Sequence, residues 1–204
     1  MDFLVLSSSR GTTFQAVLDA IASGSLSAKC LGLLTDRADR ECIAKAEAAG
    51  VPVWIVDKGK TEEREAYDKR VDETLTEALA GRGRQSVVIA ALGWMHILSP
   101  WFIRQWKNRV INVHPALLPK YGGTGMFGMR VHEAVIAAKE KESGISIHLM
   151  DEGVDTGPIL LQKTCPVLEV DSPDALRNRV QVLEREWYPK LLEMIRTGQV
   201  KLPE

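Results

Sequence analysis

The sequence predicts an α/β protein with helices on both faces of a largely parallel, twisted sheet. Short apolar runs alternate five times with helical patterns before residue 114, as successive β–α units do. The run at 87–92 is apolar throughout, which is typical of a strand covered on both faces. Polar loops follow several of these runs, and ligands of such sheets bind beyond the carboxyl ends of the strands.

The apolar runs predict five strands in the first part of the chain, at 3–6, 30–34, 51–56, 87–92 and 110–113. Phe14, Val17, Leu18 and Ile21 recur at the spacing of a helix with one apolar face. Further helices are predicted at 43–49, which Gly50 ends, at 67–79, and from Pro100 onward.

The regular alternation of strand and helix patterns ends after Pro119. Glycines crowd the segment 122–128, which predicts a mobile loop. A helix is predicted at 132–138, and two strands at 144–150 and 158–161. Ser172 and Pro173 fit the N-cap and first residue of a long terminal helix, in which Pro189 is expected to introduce a kink.

Composition excludes several classes of protein. The 204 residues fit a single domain, and the net charge of −1 provides no basic field for nucleic acid. Cys30, Cys42 and Cys165 are scattered and have neither disulfide nor zinc spacing. The sequence contains no apolar run of membrane-spanning length and no signal-peptide pattern. We therefore expect a cytoplasmic protein without a metal site, nucleic-acid partner or membrane contact.

Asn112 and His114 lie two residues apart at the end of the apolar run 110–111, so their side chains point the same way from a strand. Asp155 follows in the Gly-rich segment 151–158. A carboxamide and an imidazole that converge can stabilise an oxyanion and transfer a proton, which is the equipment for acyl transfer. Taken alone, an Asn-x-His pair at a strand end also fits a cap or a core pair.

The loop 7–13 joins the first strand to the first helix, and it matches neither a P-loop nor a Gly-x-Gly-x-x-Gly motif. It combines Gly11 with the hydroxyls of Thr12 and Thr13 at a helix N-terminus. Free N–H groups and the helix dipole attract phosphate there, although ordinary helix capping would use one threonine in any case.

Together these segments resemble the phosphoribosylglycinamide formyltransferases, the folate-dependent enzymes of purine synthesis. The resemblance covers nearly the whole chain and rests on Gly11-Thr12-Thr13, on 64–68, on 95–100, on Asn112-x-His114-Pro115-x-Leu117-Leu118-Pro119 and on 151–158. It implies one Rossmann-like domain, 1–204, with a mixed C-terminal part, the formyltransferase fold. Its nucleotide-binding half would cover about 1–110, and its folate-binding and catalytic half about 111–204.

The resemblance also implies the reaction. The amine of glycinamide ribonucleotide would attack the formyl group of 10-formyltetrahydrofolate, a co-substrate, without a metal. Asn112 would donate to the oxyanion, and His114, as imidazolium, would help to supply the proton. Asp155 would favour that charged form, because an opposite charge stabilises a cation. The expected partners are these small molecules, and the protein is expected to be a monomer or homodimer.

The resemblance further implies two sets of binding residues. Gly11, Thr12, Thr13 and Glu184 would hold the phosphate and ribose, whereas Arg64, Met95, His96, Ile97, Leu98 and Asn112 would contact the folate. His148 is interpreted either as a structural residue or as a supporting active-site residue, and His132 as structural.

This chain departs from the common family pattern at four places. Ser9 stands where Gly is frequent, Thr12-Thr13 where Ser-Asn is frequent, and His96 where Arg is frequent. The segment 122–128 differs throughout, and its Met126 and Phe127 are expected either to close over the folate or to pack on a partner chain. The role of Arg10 stays open.

Other functions remain possible at this point. A related formyltransferase or a formyltetrahydrofolate hydrolase could use the same three side chains with another acceptor. The hydrolase would usually carry an extra N-terminal domain, and a transfer-RNA formyltransferase a C-terminal domain with a basic surface. A sugar-nucleotide formyltransferase fits the size. A non-catalytic nucleotide-binding module is disfavoured by the intact Asn112, His114 and Asp155.

Overall fold

The computed structural model describes residues 1–203, and its seven strands form one sheet in the order β3-β2-β1-β4-β5-β6-β7. The strands are β1 (Asp2–Leu6), β2 (Lys29–Thr35), β3 (Val53–Ile55), β4 (Val87–Ala91), β5 (Val110–His114), β6 (Glu142–Leu149) and β7 (Ile159–Pro166). The helices are α1 (Thr12–Ala22), α2 (Cys42–Ala48), α3 (Arg64–Ala78), α4 (Pro100–Gln105), α5 (Met129–Ala137) and α6 (Pro173–Arg196).

The predicted parallel sheet with a mixed C-terminal part is confirmed. Strands β1 to β5 pair in parallel, whereas β6 pairs antiparallel with β5 and β7 antiparallel with β6. The strand order reverses between β1 and β4, because β2 and β3 extend to one side and β5 to the other. Such a reversal opens a crevice at the carboxyl ends of the strands, where α/β proteins bind ligands.

Alternating residues of β1 supply the cores on the two faces of the sheet. Phe3 and Val5 face one core, which α1, α2, α5 and α6 cover. Leu4 and Leu6 face the other, which α3 and α4 cover. All four side chains are fully buried, as the two-residue period of a strand between helical layers requires.

One hydrogen bond ties the long terminal helix to the centre of the sheet. The hydroxyl of Tyr188 on α6 donates to the carbonyl oxygen of Ile111 on β5 at 2.9 Å. Tyr188 is fully buried, so this bond satisfies its polar tip inside the core. It fixes β5 one residue before Asn112, on the strand that carries the predicted catalytic pair.

Several predicted boundaries are wrong. Strand β3 is shorter than the apolar run 51–56, and β7 extends five residues beyond the predicted 158–161. The extension contains Gln162, Lys163 and Thr164 and lies on the edge strand, where burial imposes no apolar run. Helix α5 begins three residues before His132. Helix α6 continues through Pro189, as the predicted long terminal helix does.

Ser172 caps α6 as predicted, since its hydroxyl accepts from the backbone N–H of Ala175 at 3.1 Å. The three cysteines are free thiols. Among residues 1–203, no helix combines the length and hydropathy needed to cross a bilayer.

Candidate active site

A cavity of about 610 Å³ opens at the carboxyl ends of β1, β4 and β5. Its wall combines the loop after β1, the loop 91–98 after β4 and the end of β5. Polar loops that follow the predicted strands therefore meet at the carboxyl edge of the sheet, where ligands of such sheets bind. Segments 123–128 and 153–155 and one face of α6 complete the wall. Residues from both halves of the chain thus line one site. The assignment of nucleotide binding to one half and of folate binding and catalysis to the other stays a prediction.

Asn112 and His114 both line the cavity from the end of β5. Asn112 lies opposite His148 of β6, and its Nδ2 is 3.1 Å from His148 Nε2. His148 Nδ1 lies 2.9 Å from the Leu149 carbonyl oxygen, so Nδ1 is a donor, and His148 Nε2 also lies 3.6 Å from Asp155 Oδ1. His148 thereby fixes the orientation of the Asn112 carboxamide, and a second amide N–H remains for a ligand.

His114 lies between a carbonyl and a carboxylate. Its Nε2 is 2.7 Å from the carbonyl oxygen of Tyr121, and its Nδ1 is 3.4 Å from Asp155 Oδ2. Asp155 Oδ2 also accepts the backbone N–H of Gly123 at 3.0 Å. Asp155 has a φ of 58°, a left-handed conformation that Asp tolerates better than most residues. The three side chains predicted from separate segments are thus brought together.

The surroundings of His114 lower its pKa. Burial lowers the pKa of His114, and the Asp155 carboxylate and the Tyr121 carbonyl oppose that shift only in part. Burial would raise the pKa of Asp155, but His148, His114 and the Gly123 N–H outweigh burial and keep that pKa below its usual value. In the ligand-free protein these shifts favour a carboxylate beside a neutral imidazole at neutral pH, and the imidazolium expected during the reaction stays a prediction.

The loop before α1 forms the predicted anion-binding geometry. Gly11 is the N-cap of α1 with a φ of 72°, and a Cβ there would lie 2.8 Å from the Cβ of Cys42. No side chain caps this helix, so its first-turn N–H groups are open to a ligand. Thr12 and Thr13 line the cavity, whereas Gly11 shapes the turn from outside it.

Ser9 replaces the frequent glycine without disturbing this loop. Its hydroxyl accepts the N–H of Gly11 at 3.2 Å and donates to the Leu92 carbonyl oxygen at 3.3 Å. The space for it comes from Gly93, where an added Cβ would lie 2.7 Å from Ser9 Oγ. Ser9 therefore joins the loop after β1 to the loop after β4.

Glu184 of α6 meets Thr13, since the threonine hydroxyl donates to Glu184 Oε2 at 3.2 Å. Burial raises the pKa of Glu184 to about 7. Arg177 and Gln181 also line the cavity, and they lie on the same helix face as Glu184 at i, i+4 and i+7. Neither residue was predicted, although the sequence shows this polar stripe beside the apolar face of α6.

The loop predicted to contact folate lines the opposite part of the cavity. Met95 and Ile97 are half exposed, Leu98 is buried, and His96 Nε2 lies 3.1 Å from Asp36 Oδ2. Asp36 also accepts two hydrogen bonds from Arg40, both at 2.8 Å. Asp36 was not predicted, and it ties His96 to the loop after β2.

Arg64 and His132 lie at different places relative to the cavity, and their predicted roles stay predictions. Arg64 is exposed at the start of α3 and does not line the cavity. His132, which was interpreted as structural, is buried and lines the cavity. In the segment 122–128, Phe127 lies half exposed, with the Arg130 guanidinium 5.1 Å from its ring centre. Within residues 1–203, no cluster of three or more His, Cys, Asp or Glu side chains is arranged to hold a metal ion.

Comparison with known proteins gives consistent matches over the whole chain. The sequence pattern of the formyl transferase family matches residues 1–192. The phosphoribosylglycinamide formyltransferase of Escherichia coli is 31% identical over 204 residues, which cover 100% of this chain and 91% of that protein. The trifunctional purine biosynthetic protein adenosine-3 of Bos taurus is 32% identical over 98% of this chain, but the chain spans only 19% of its length.

Solved structures of such enzymes have the same fold as this chain. Glycinamide ribonucleotide transformylase 1 from Symbiobacterium toebii superposes with a TM-score of 0.88 at 29% identity, covering 100% of this chain and 91% of that one. Phosphoribosylglycinamide formyltransferase from Coxiella burnetii gives a TM-score of 0.88 at 29% identity over 100% and 90%. The chain therefore belongs to the formyl transferase family and, within it, to the phosphoribosylglycinamide formyltransferases.

Proposed function

We propose that this protein transfers the formyl group of 10-formyltetrahydrofolate to the amine of 5-phosphoribosylglycinamide, in de novo purine synthesis. The observation that carries the proposal is the convergence of Asn112, His114 and Asp155 in a cavity that is also lined by a helix N-terminus suited to phosphate. Relatives matched over nearly their full length bear the name of this activity.

The first step is attack of the acceptor amine on the formyl carbon, which forms a tetrahedral oxyanion. In our proposal the Asn112 amide donates a hydrogen bond to that oxygen. The amide is held by His148 before the substrate arrives, so little reorganisation is needed during the reaction. Preorganised donors of this kind stabilise the transition state more than the substrate.

The second step moves a proton. His114 accepts the proton that the attacking amine loses and returns it to the folate nitrogen as the carbon–nitrogen bond breaks. Because Nε2–H is donated to the Tyr121 carbonyl, Nδ1 is the nitrogen with the free lone pair, and it faces Asp155 at 3.4 Å. The carboxylate therefore stabilises the imidazolium for the lifetime of the intermediate.

The remaining residues bind the two substrates in this proposal. The first turn of α1, with Thr12 and Thr13, receives the phosphate, and Glu184 receives the ribose hydroxyls. Segment 95–98 receives the folate ring in an apolar slot. Arg64 lies outside this slot and is assigned only to the distal carboxylates of the folate tail. We infer a metal-free reaction, a monomer or homodimer, and a cytoplasmic location, where the three free thiols would persist.

The test follows tetrahydrofolate formation with purified protein, omitting each substrate in turn. Turnover that requires 5-phosphoribosylglycinamide and collapses in His114→Ala supports the proposal. Turnover without acceptor would indicate a hydrolase, and binding of both ligands without turnover would indicate another acceptor. Either of these results would contradict the assigned reaction.

A further inference from the structure

Two buried polar groups of α5 and α6, on residues that line the cavity, have no hydrogen-bond partner within residues 1–203. They are Nδ1 of His132 and Nε of Arg177. His132 is 2% exposed, and both side chains line the cavity. An unsatisfied buried donor or acceptor costs stability, so such groups in a binding cavity point to a ligand that completes them.

These groups lie at the N-terminus of α5. The helix begins after Gly128, whose φ is 58°, and no side chain caps it. His132 belongs to its second turn, and the Arg177 guanidinium lies 3.2 Å from the sulfur of Met129 in its first turn. A helix start with open N–H groups, an arginine and a donor imidazole together favour an anion.

The N-terminus of α1 points toward the part of the cavity that His132 and Arg177 line. Thr13 contacts Glu184 of α6, and the N–H of Ser27, beyond the end of α1, contacts Glu193. The two helices therefore run in the same general direction, and the space before the first turn of α1 faces the earlier α6 residues Gln181 and Arg177. Residues of α5 and of the first turn of α1 line the same cavity, and α6 packs against both helices.

We propose that Arg177 and His132, with the first turn of α5, bind the acceptor's 5′-phosphate from the side opposite α1. This inference rests on the proposed function for the identity of the acceptor. The phosphate carries close to two negative charges, and the first turn of α1 contributes only partial positive charge. Arg177 adds a full positive charge, and its Nε is the guanidinium nitrogen that lacks a partner.

His132 contributes a hydrogen bond and not a charge. Burial and the neighbouring Arg177 lower the pKa of His132 to about 4, so its ring is neutral at pH 7. A neutral imidazole still donates one N–H. Arg177 keeps a contact with Asp174 at 3.0 Å, which holds the guanidinium in place while Nε remains free.

The test compares the phosphorylated acceptor with the same acceptor lacking its phosphate. We expect Arg177→Gln to raise the KM for 5-phosphoribosylglycinamide roughly tenfold to a hundredfold, as expected for a lost charge-assisted contact, with little change in kcat. The KM for the phosphate-free acceptor should not change. Arg177→Lys should give an intermediate value, and His132→Asn a smaller increase than Arg177→Gln. Arg185→Gln removes an exposed charge from α6, the helix of Arg177, at a position outside the cavity, and it should behave as wild type.

Calorimetric binding of ribose 5-phosphate separates this inference from the proposed function. Arg177-dependent binding without turnover would overturn the assigned reaction and leave the anion site standing. Acceptor-dependent turnover in which Arg177→Gln affects both acceptors equally, or neither, would overturn the anion site and leave the reaction standing. If Arg177→Gln does not fold, Arg177→Lys decides: a KM equal to that of wild type for both acceptors would contradict the inference.

Discussion

The two ends of the cavity differ in how completely their polar groups are paired before any ligand binds. At the β5 end, Asn112, His148 and Asp155 contact one another or the backbone within hydrogen-bond or ion-pair distance. At the helix end, His132 and Arg177 retain unpaired nitrogens. The paired end resembles a catalytic site that is ready in advance, whereas the unpaired end resembles a binding site completed by its ligand.

This difference shows that the hydrogen-bond partners of a polar group indicate whether it serves catalysis or substrate binding. Groups fixed by the protein keep their geometry as charge develops, which is what a transition state needs. Groups left unsatisfied gain most when a substrate supplies the missing partner, and that gain appears as affinity. We therefore expect substitutions at the two ends to affect different kinetic constants.

The largest expected effect is at the catalytic histidine. Replacing His114 by Ala removes the group that carries the proton, which should lower kcat roughly 100- to 10 000-fold. The KM for the acceptor should stay within a few-fold, because binding depends on the other end. Steady-state kinetics at saturating folate would measure both constants. A tenfold rise in KM with kcat preserved would reverse the assignment of the two ends.

Asn112→Ala should follow, with a loss of roughly 100- to 1000-fold in kcat, the cost of removing one oxyanion donor in an acyl-transfer site. Asn178→Ala, on the exposed surface of α6, is the matched control and should retain wild-type turnover. Near-normal turnover of folded Asn112→Ala would remove Asn112 from the mechanism.

Asp155→Asn removes the carboxylate charge beside His114 with little change in side-chain shape, so it tests the electrostatics of the β5 end alone. The carboxylate opposes the effect of burial on His114, so its removal should move the pKa of His114 further below the ordinary histidine value. Proton NMR titration of the His114 ring in both proteins would measure the shift. An unchanged or higher pKa in Asp155→Asn would show that the 3.4 Å contact has no electrostatic role.

The smallest expected effect concerns stability at the binding end. Because the folded protein raises the pKa of Glu184 to about 7, folding binds a proton above pH 4.5, and stability falls as pH rises from 4.5 through 7. Glu184→Gln lacks this penalty, so it should be more stable than wild type at pH 8 by roughly 1 to 3 kcal/mol. The advantage should vanish below pH 4.5. Urea unfolding at both pH values is the measurement, and equal stability at pH 8 would contradict the buried, protonatable Glu184.

Much of the fold was predictable because the parallel strands are buried on both faces and therefore read as apolar runs. Strand β7 was underestimated for the opposite reason, since Gln162 and Lys163 lie on an edge where burial imposes no pattern. Asn112, His114 and Asp155 were identified because their motifs are compact in sequence.

The groups that support them could not be predicted in the same way. Tyr121 acts on His114 through its carbonyl and Gly123 acts on Asp155 through its N–H, and backbone groups carry no sequence signature. The neutral state of His114 also depends on burial, which only the packed structure reveals. His132 and Arg177 lie 45 residues apart, and only the packing of α5 against α6 brings them to one cavity.

The most direct test of the division between the two ends is calorimetric binding of 5-phosphoribosylglycinamide to wild type, Asn112→Ala and Arg177→Gln, with single-turnover formyl transfer measured on the same samples. We predict that Asn112→Ala binds the acceptor nearly as tightly as wild type but transfers the formyl group at least about 100-fold more slowly. Arg177→Gln should lose affinity and, once saturated, transfer at nearly the wild-type rate. Equal losses of affinity in both variants would contradict the account.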